Sequence, residues 1–145
     1  MRIAANDVFE LRILDQRAPE GIAAHPQALG QPRHPRARLG AYVAASFSPP
    51  IADCALLATW TALWGLVIAQ PAIAALHDAQ YARYRAELEE LLAACGLAAA
   101  ARRRAAIAIT ALVDGLWLEL CLSPAVLDAE EAGAIAEAQI VALLR

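Results

Sequence analysis

Lysine is absent, so every basic side chain among the 145 residues is arginine. Serine is confined to Ser46, Ser48 and Ser123, histidine to His25, His34 and His77, and there are only 7 glycines and 1 methionine. These shortages remove most catalytic raw material. The chain has no Gly-rich phosphate loop, no His-x-x-x-His and no Cys-x-x-Cys spacing, the patterns that phosphate and zinc chemistry require. The expectation is a protein that is not an enzyme, with no catalytic residue, no metal ligand and no cofactor. The cysteines, Cys54, Cys95 and Cys121, are odd in number and widely spaced, which suits free thiols packed on helices in a reducing compartment better than a disulfide framework. Charge of one sign is also lacking. A formal net charge of −3 offers no basic face for nucleic acid, and no DNA-binding residue is assigned. An apolar leader is missing as well, because "MRIAANDVFELRIL" carries Asp7 and Glu10 where a secretory signal keeps its hydrophobic stretch. The expected location is the cytoplasm.

What is present is alanine, leucine and isoleucine in quantity. Hydrophobic residues make up 60% of the chain, strand formers are sparse, and no long stretch alternates apolar with polar. Composition and length together indicate one all-α domain. The combination of arginine without lysine and abundant alanine reads as coding bias rather than function.

Residues 1–35 differ from the rest. Pro19, Pro26, Pro32 and Pro35 punctuate "RAPEGIAAHPQALGQPRHP", and each disfavours helix in the residue before it. This part reads as an irregular Pro-rich N-terminal segment, with Met1–Leu14 readable as either helix or strand, and 36–145 reads as the folded domain. From Pro35, Leu39, Val43 and Phe47 recur at four-residue spacing and predict a short amphipathic helix stopped by Pro49-Pro50. No charged residue occurs from Cys54 to Leu76. That run is long enough to raise the question of a bilayer span, but Pro71 falls inside it and belongs at the first turn of a new helix. Trp60 and Trp64 also sit mid-run rather than at interfacial positions. The prediction is therefore a helix over about 51–70, another over 71–95 and no membrane association. On the second helix Ile73, Leu76, Gln80, Tyr84, Leu88, Leu91 and Cys95 trace an apolar stripe, and Gly96 stops it. A helix from about Ala98 to Leu122 follows. The last one starts at Asp128, with Glu131 at capping-box spacing, and runs through Ile135, Ile140 and Leu143. The two C-terminal helices carry more apolar surface than one small bundle hides, so a partner chain is expected to cover it.

Two patterns suggest binding. Trp60 and Trp64 share a helix face, and Tyr81, Tyr84 and Trp117 lie on neighbouring helices. With Asp114 or Glu119 nearby, such a cluster suits a cationic or apolar small molecule; packing of the same rings as ordinary core is the alternative. Asp114 and Glu119, five residues apart, diverge around their helix, which argues against joint acid–base work. The run Arg102-Arg103-Arg104 reads as a solvated helix start.

The stretches "LLATWTALWGLVIAQPAIAALHDAQYARYRAELEELL" and "IAITALVDGLWLELCLSP", followed by an amphipathic helix, resemble the C-terminal domain of TetR-family transcriptional regulators. The resemblance lies in the BetI-type branch, which controls choline-to-glycine-betaine genes. It is carried by Trp60 and Trp64, by Pro71, Leu76, His77, Tyr81 and Arg85, and above all by "ALVDGLWL", and it covers about 36–145. It implies a small-molecule-sensing domain whose last two helices pair with a second copy in a four-helix bundle. The implied effector pocket holds Trp60, Trp64, Tyr81, Tyr84, Asp114 and Trp117. The implied homodimer interface holds Leu112, Leu116, Leu120, Ile135, Ile140 and Leu143. A choline-like or apolar cationic effector is implied by the branch. Residues 1–35 lack the small-residue turn and basic recognition helix of a helix-turn-helix head. DNA contact is therefore expected only through a head missing from this sequence or through a full-length partner, and the chain as it stands is expected to dimerise without binding operator DNA. The rival reading is a helical protein-interaction module that binds neither ligand nor DNA.

Overall fold

The computed structural model describes residues 34–49 and 51–145, which contain five α-helices and one 3₁₀ turn and, among the described residues, no strand. The expectations for residues 1–33, including the absence of a helix-turn-helix, lie outside the described residues.

Helix α1 spans Pro35–Ala44 and tightens into a 3₁₀ turn over Ala45–Phe47. Pro35 occupies the first helical position, where a missing N–H removes no bond. Leu39, Val43 and Phe47 are all buried, as their spacing predicts. Each contributes about 1.5–3 kcal/mol relative to an exposed position.

Helix α2 spans Cys54–Ala69. It starts three residues later than the hydrophobic run suggests, because the Asp53 carboxylate accepts from the amides of Ala55 and Leu56 at 2.9 and 3.1 Å and sets the N-cap. Its 16 residues fall short of the ~20 that a bilayer-crossing helix needs, and Leu57, Trp60 and Leu63 are buried in the core. Gln70 is extended, as a residue before proline should be. Helix α3 follows at once over Pro71–Ala94.

The end of α3 is a complete Schellman turn. Gly96 takes φ +87°, its amide donates to Ala93, and the amide of Leu97 reaches back to Leu92. The buried line on α3 is Ile73, Tyr81, Leu88 and Leu92, which corrects the stripe read from sequence. At 100° per residue Leu76 lies about 120° around the helix from Leu88. It is at the surface, Ile73 and Leu88 of the stripe are buried, and Gln80, Tyr84, Leu91 and Cys95 are half-buried.

Helix α4 spans Ala99–Leu122 and α5 spans Ala129–Leu143. Three arginines near a helix N-terminus oppose the dipole. Arg102 is partly compensated by donating from Nε to the Leu97 carbonyl at 2.8 Å, while Arg103 and Arg104 face solvent. By length and composition α4 could cross a membrane. In this fold it is the central helix, and Ala106, Ile109, Val113 and Trp117 are buried against its neighbours. Asp128 caps α5 by accepting from the Glu131 amide at 2.8 Å, and Glu130 and Glu131 sit at the positive end of that helix. The core lies where α2, α3 and α5 pack against α4 and α1 closes it against α3 and α5.

Candidate functional site

Six residues were read as an effector pocket, and the fold places them in three groups. Trp60 from α2 and Trp117 from α4 are both almost fully buried, with ring centroids 6.3 Å apart and planes tilted by 39°. The Trp117 indole N–H donates to the carbonyl of Ser46 at 2.9 Å. Trp64, one turn further along α2, is half-buried.

The second group joins α3 to α4. Tyr81 is buried and donates its hydroxyl to Oδ1 of half-buried Asp114 at 3.0 Å. The ring of His77 lies against Tyr81 with centroids 4.1 Å apart and planes at 24°. The Arg85 guanidinium carbon stands 5.8 Å from the centre of the Tyr81 ring, within cation–π range. His77 and Arg85 are four residues before and after Tyr81, so helical spacing puts all three on one face. Sequence reasoning did not join either to Tyr81, and their four-residue spacing to it is the signal that would have found the group.

The third group joins α3 to α1. Tyr84 stacks on Tyr42 at 5.5 Å and 23°. The Tyr42 hydroxyl donates to Oε2 of Glu87 at 2.5 Å, and Arg83 lies 3.6 Å from the other Glu87 oxygen. Nothing local in the sequence links Tyr42 to Glu87, so their bond is not readable there. Glu119 is exposed on α4, away from half-buried Asp114, as their spacing requires.

A separate groove of about 450 Å³ runs between α1 and α5, lined by Arg36, Gly40, Val43, Gly133, Glu137 and Ile140 among others. It contains none of the six candidates. It exists because small residues line both helices, with a Cβ on Gly40 meeting nothing within 4 Å. Convergent aromatic and polar groups, rather than open space alone, mark a recognition site, so the functional reading stays with the aromatic groups. Arg36 at the end of the groove donates to the Leu144 carbonyl at 2.8 Å. Burial pushes the nearby Cys95 thiol above its usual range, and the Arg36 charge offsets part of that rise. Cys95 and Cys121 are free thiols. Among the described residues no three His, Cys, Asp or Glu side chains cluster in a way that would hold a metal ion.

Of the residues read as a dimer face, Leu116, Leu120 and Ile140 are buried within the subunit, Leu112 and Ile135 are half-buried, and Leu143 is exposed. The outward surface of α4 instead carries Ile107, Ala108, Ala111, Gly115 and Leu122, and that of α5 carries Ala134, Ala138, Val141 and Ala142.

Residues 35–145 match the family of BetI-type transcriptional repressors, C-terminal. The chain belongs to this family. An HTH-type transcriptional regulator BetI from Paraburkholderia phymatum is 36% identical over 115 residues, covering 76% of this chain and 56% of the relative. A BetI regulator from Burkholderia mallei is 36% identical over 110 residues with the same coverage. The chain thus spans little more than half the length of these relatives. Among solved structures, a candidate transcriptional regulator from Pseudomonas aeruginosa PAO1 aligns with a TM-score of 0.74 at 34% identity, covering 94% of this chain and 64% of that one. A transcriptional regulator from a Rhodococcus species aligns at 0.77 with 19% identity, covering 97% and 73%, a likeness of fold alone. The all-α architecture read from composition is that of this BetI-type family member.

Proposed function

We propose that residues 35–145 are the small-molecule-sensing and dimerisation half of a bacterial, cytoplasmic transcriptional repressor of the BetI type. The observation that supports the reading is a pair of contacts on α4, Trp117 against Trp60 of α2 and, three residues earlier, half-buried Asp114 against Tyr81 of α3. Such a site favours a choline-like or apolar cation, attracted by ring faces and by the Asp114 charge. Trp64 and Tyr84 are proposed to extend it along α2 and α3. Homodimer formation is supported by the apolar surface of α4 and α5, with Ile107, Leu122, Val141 and Leu143 exposed. Half-buried Leu112 and Ile135 lie at its edge. DNA reading belongs to a part of the BetI relatives outside the matched region, contributed by the same polypeptide or by a full-length partner.

Thermal unfolding in the presence of choline, betaine aldehyde and a panel of apolar amphiphiles tests the reading. A ligand at a hundred times its Kd adds about 2.7 kcal/mol to stability. No stabilisation across the panel favours the second reading, a helical interaction module without ligand. The near-complete burial of Trp60 and Trp117 is the observation on its side.

A further inference from the structure

Helix α3 is the one described element that carries a tyrosine–carboxylate hydrogen bond in both directions. Tyr81 reaches Asp114 on α4 at 3.0 Å, and six residues further along, Glu87 receives the hydroxyl of Tyr42 from α1. Between them Tyr84 stacks on Tyr42. The helix is 24 residues long with no glycine and no proline after its first position, so this stretch has no break at which strain could dissipate.

We infer that Tyr42 and Glu87 are positioning residues that make α1 follow the state of the Tyr81–Asp114 contact, with α3 as the rigid link. The inference rests on the sensor reading above and supplies its regulation. An apolar helix contact can slide, whereas a charge-assisted hydroxyl–carboxylate bond is directional. Turning α3 by about 20° moves a group at its ~6 Å outer radius by about 2 Å, enough to break either bond. A ligand group that takes over the carboxylate of Asp114 releases Tyr81 and lets α3 settle elsewhere. The directional Tyr42–Glu87 bond then carries α1 with it. The far end of α1 is held differently, by the buried Trp117–Ser46 bond at the 3₁₀ turn. The turn acts as a pivot, and Tyr42, one helical turn before it, is the point at which α1 is pushed.

Hydrogen exchange read by mass spectrometry tests this without any ligand. In the whole chain, Tyr81→Phe removes the donor to Asp114 and keeps the ring. The expected result is an exchange rate in α1 at least fivefold faster than in the wild type, with less than a twofold change in α5. In a Tyr42→Phe background the same substitution should change α1 less than twofold. Glu87→Gln keeps an acceptor for Tyr42 and should preserve the response, whereas Glu87→Ala should lose it. Should Tyr81→Phe fail to fold, Asp114→Ala breaks the same contact from α4. Equal acceleration of all helices, acceleration confined to α3 and α4, or an unaltered response after Tyr42→Phe each overturns the inference. A chain that binds no small molecule can still pass this test, so its failure is distinct from failure of the sensor reading.

Discussion

Trp117 donates its indole N–H to the main-chain oxygen of Ser46, joining two buried positions 71 residues apart. The bond closes α4 against the turn that ends α1, and it gives a large aromatic side chain a fixed orientation inside an otherwise apolar core.

Replacing Trp117 by Phe leaves the Ser46 carbonyl without this donor and opens space beside Trp60. The orphaned group costs about 1–3 kcal/mol and the lost volume adds to it, so a total near 3 kcal/mol is expected. Urea unfolding should show a lowered midpoint with an unchanged slope. A loss below about 1 kcal/mol would mean that Ser46 is satisfied in another way.

Gly96→Ala isolates a backbone effect. Space is not the obstacle, since a Cβ there meets nothing within 4 Å. The cost comes from φ +87°, a left-handed conformation disfavoured by about 1–2 kcal/mol for residues with a Cβ. Gly96→Asn should recover part of it, because Asn tolerates that region better. Thermal unfolding of the pair checks both values, and equal stability of Ala and Asn variants would contradict the explanation.

Gly115 sits on the outward face of α4, next to Asp114 but exposed, with open space around it. Gly115→Arg places a charge in the middle of the proposed dimer surface. Within an isolated helix the change is favourable by about 0.8 kcal/mol, so the subunit should stay folded by circular dichroism. Light scattering should report a dimer for the wild type and a monomer for the variant. A variant that stays dimeric places the interface elsewhere.

Local chemistry made the ends of the helices readable in advance. Pro71, Gly96 and Asp128 act on amides and torsions a few residues away, and each does what its position suggests. The hydrophobic run alone put the start of α2 at about 51, because apolar periodicity does not register a cap. The α3 stripe was read slightly to one side of the buried face, which runs through Ile73, Tyr81, Leu88 and Leu92 and leaves Leu76 outside. The aromatic residues were visible, but their pairing was not. Tyr81 with Asp114 and Tyr84 with Tyr42 depend on how α3 lies between α4 and α1. On α4 and α5 bulk does not mark the outward side chains. Leu116, Leu120 and Ile140 are buried within the subunit, while Ile107, Leu122, Val141 and Leu143 are exposed among alanines and a glycine.

Gln70 closes α2 and opens α3 at once. Its amide donates to Leu66, and its carbonyl receives the amides of Ile73 and Ala74. No spacer separates the two helices, so they meet at a crease rather than a loop. The angle between α2, which carries Trp60 and Trp64, and α3, which carries Tyr81 and Tyr84, is therefore written largely into the φ and ψ of one residue, −129° and 109°. A single glycine inserted beside Gln70 would give that crease slack. Nearly every side chain of the proposed recognition cluster would remain in place on its own helix, yet the angle between those helices would no longer be fixed.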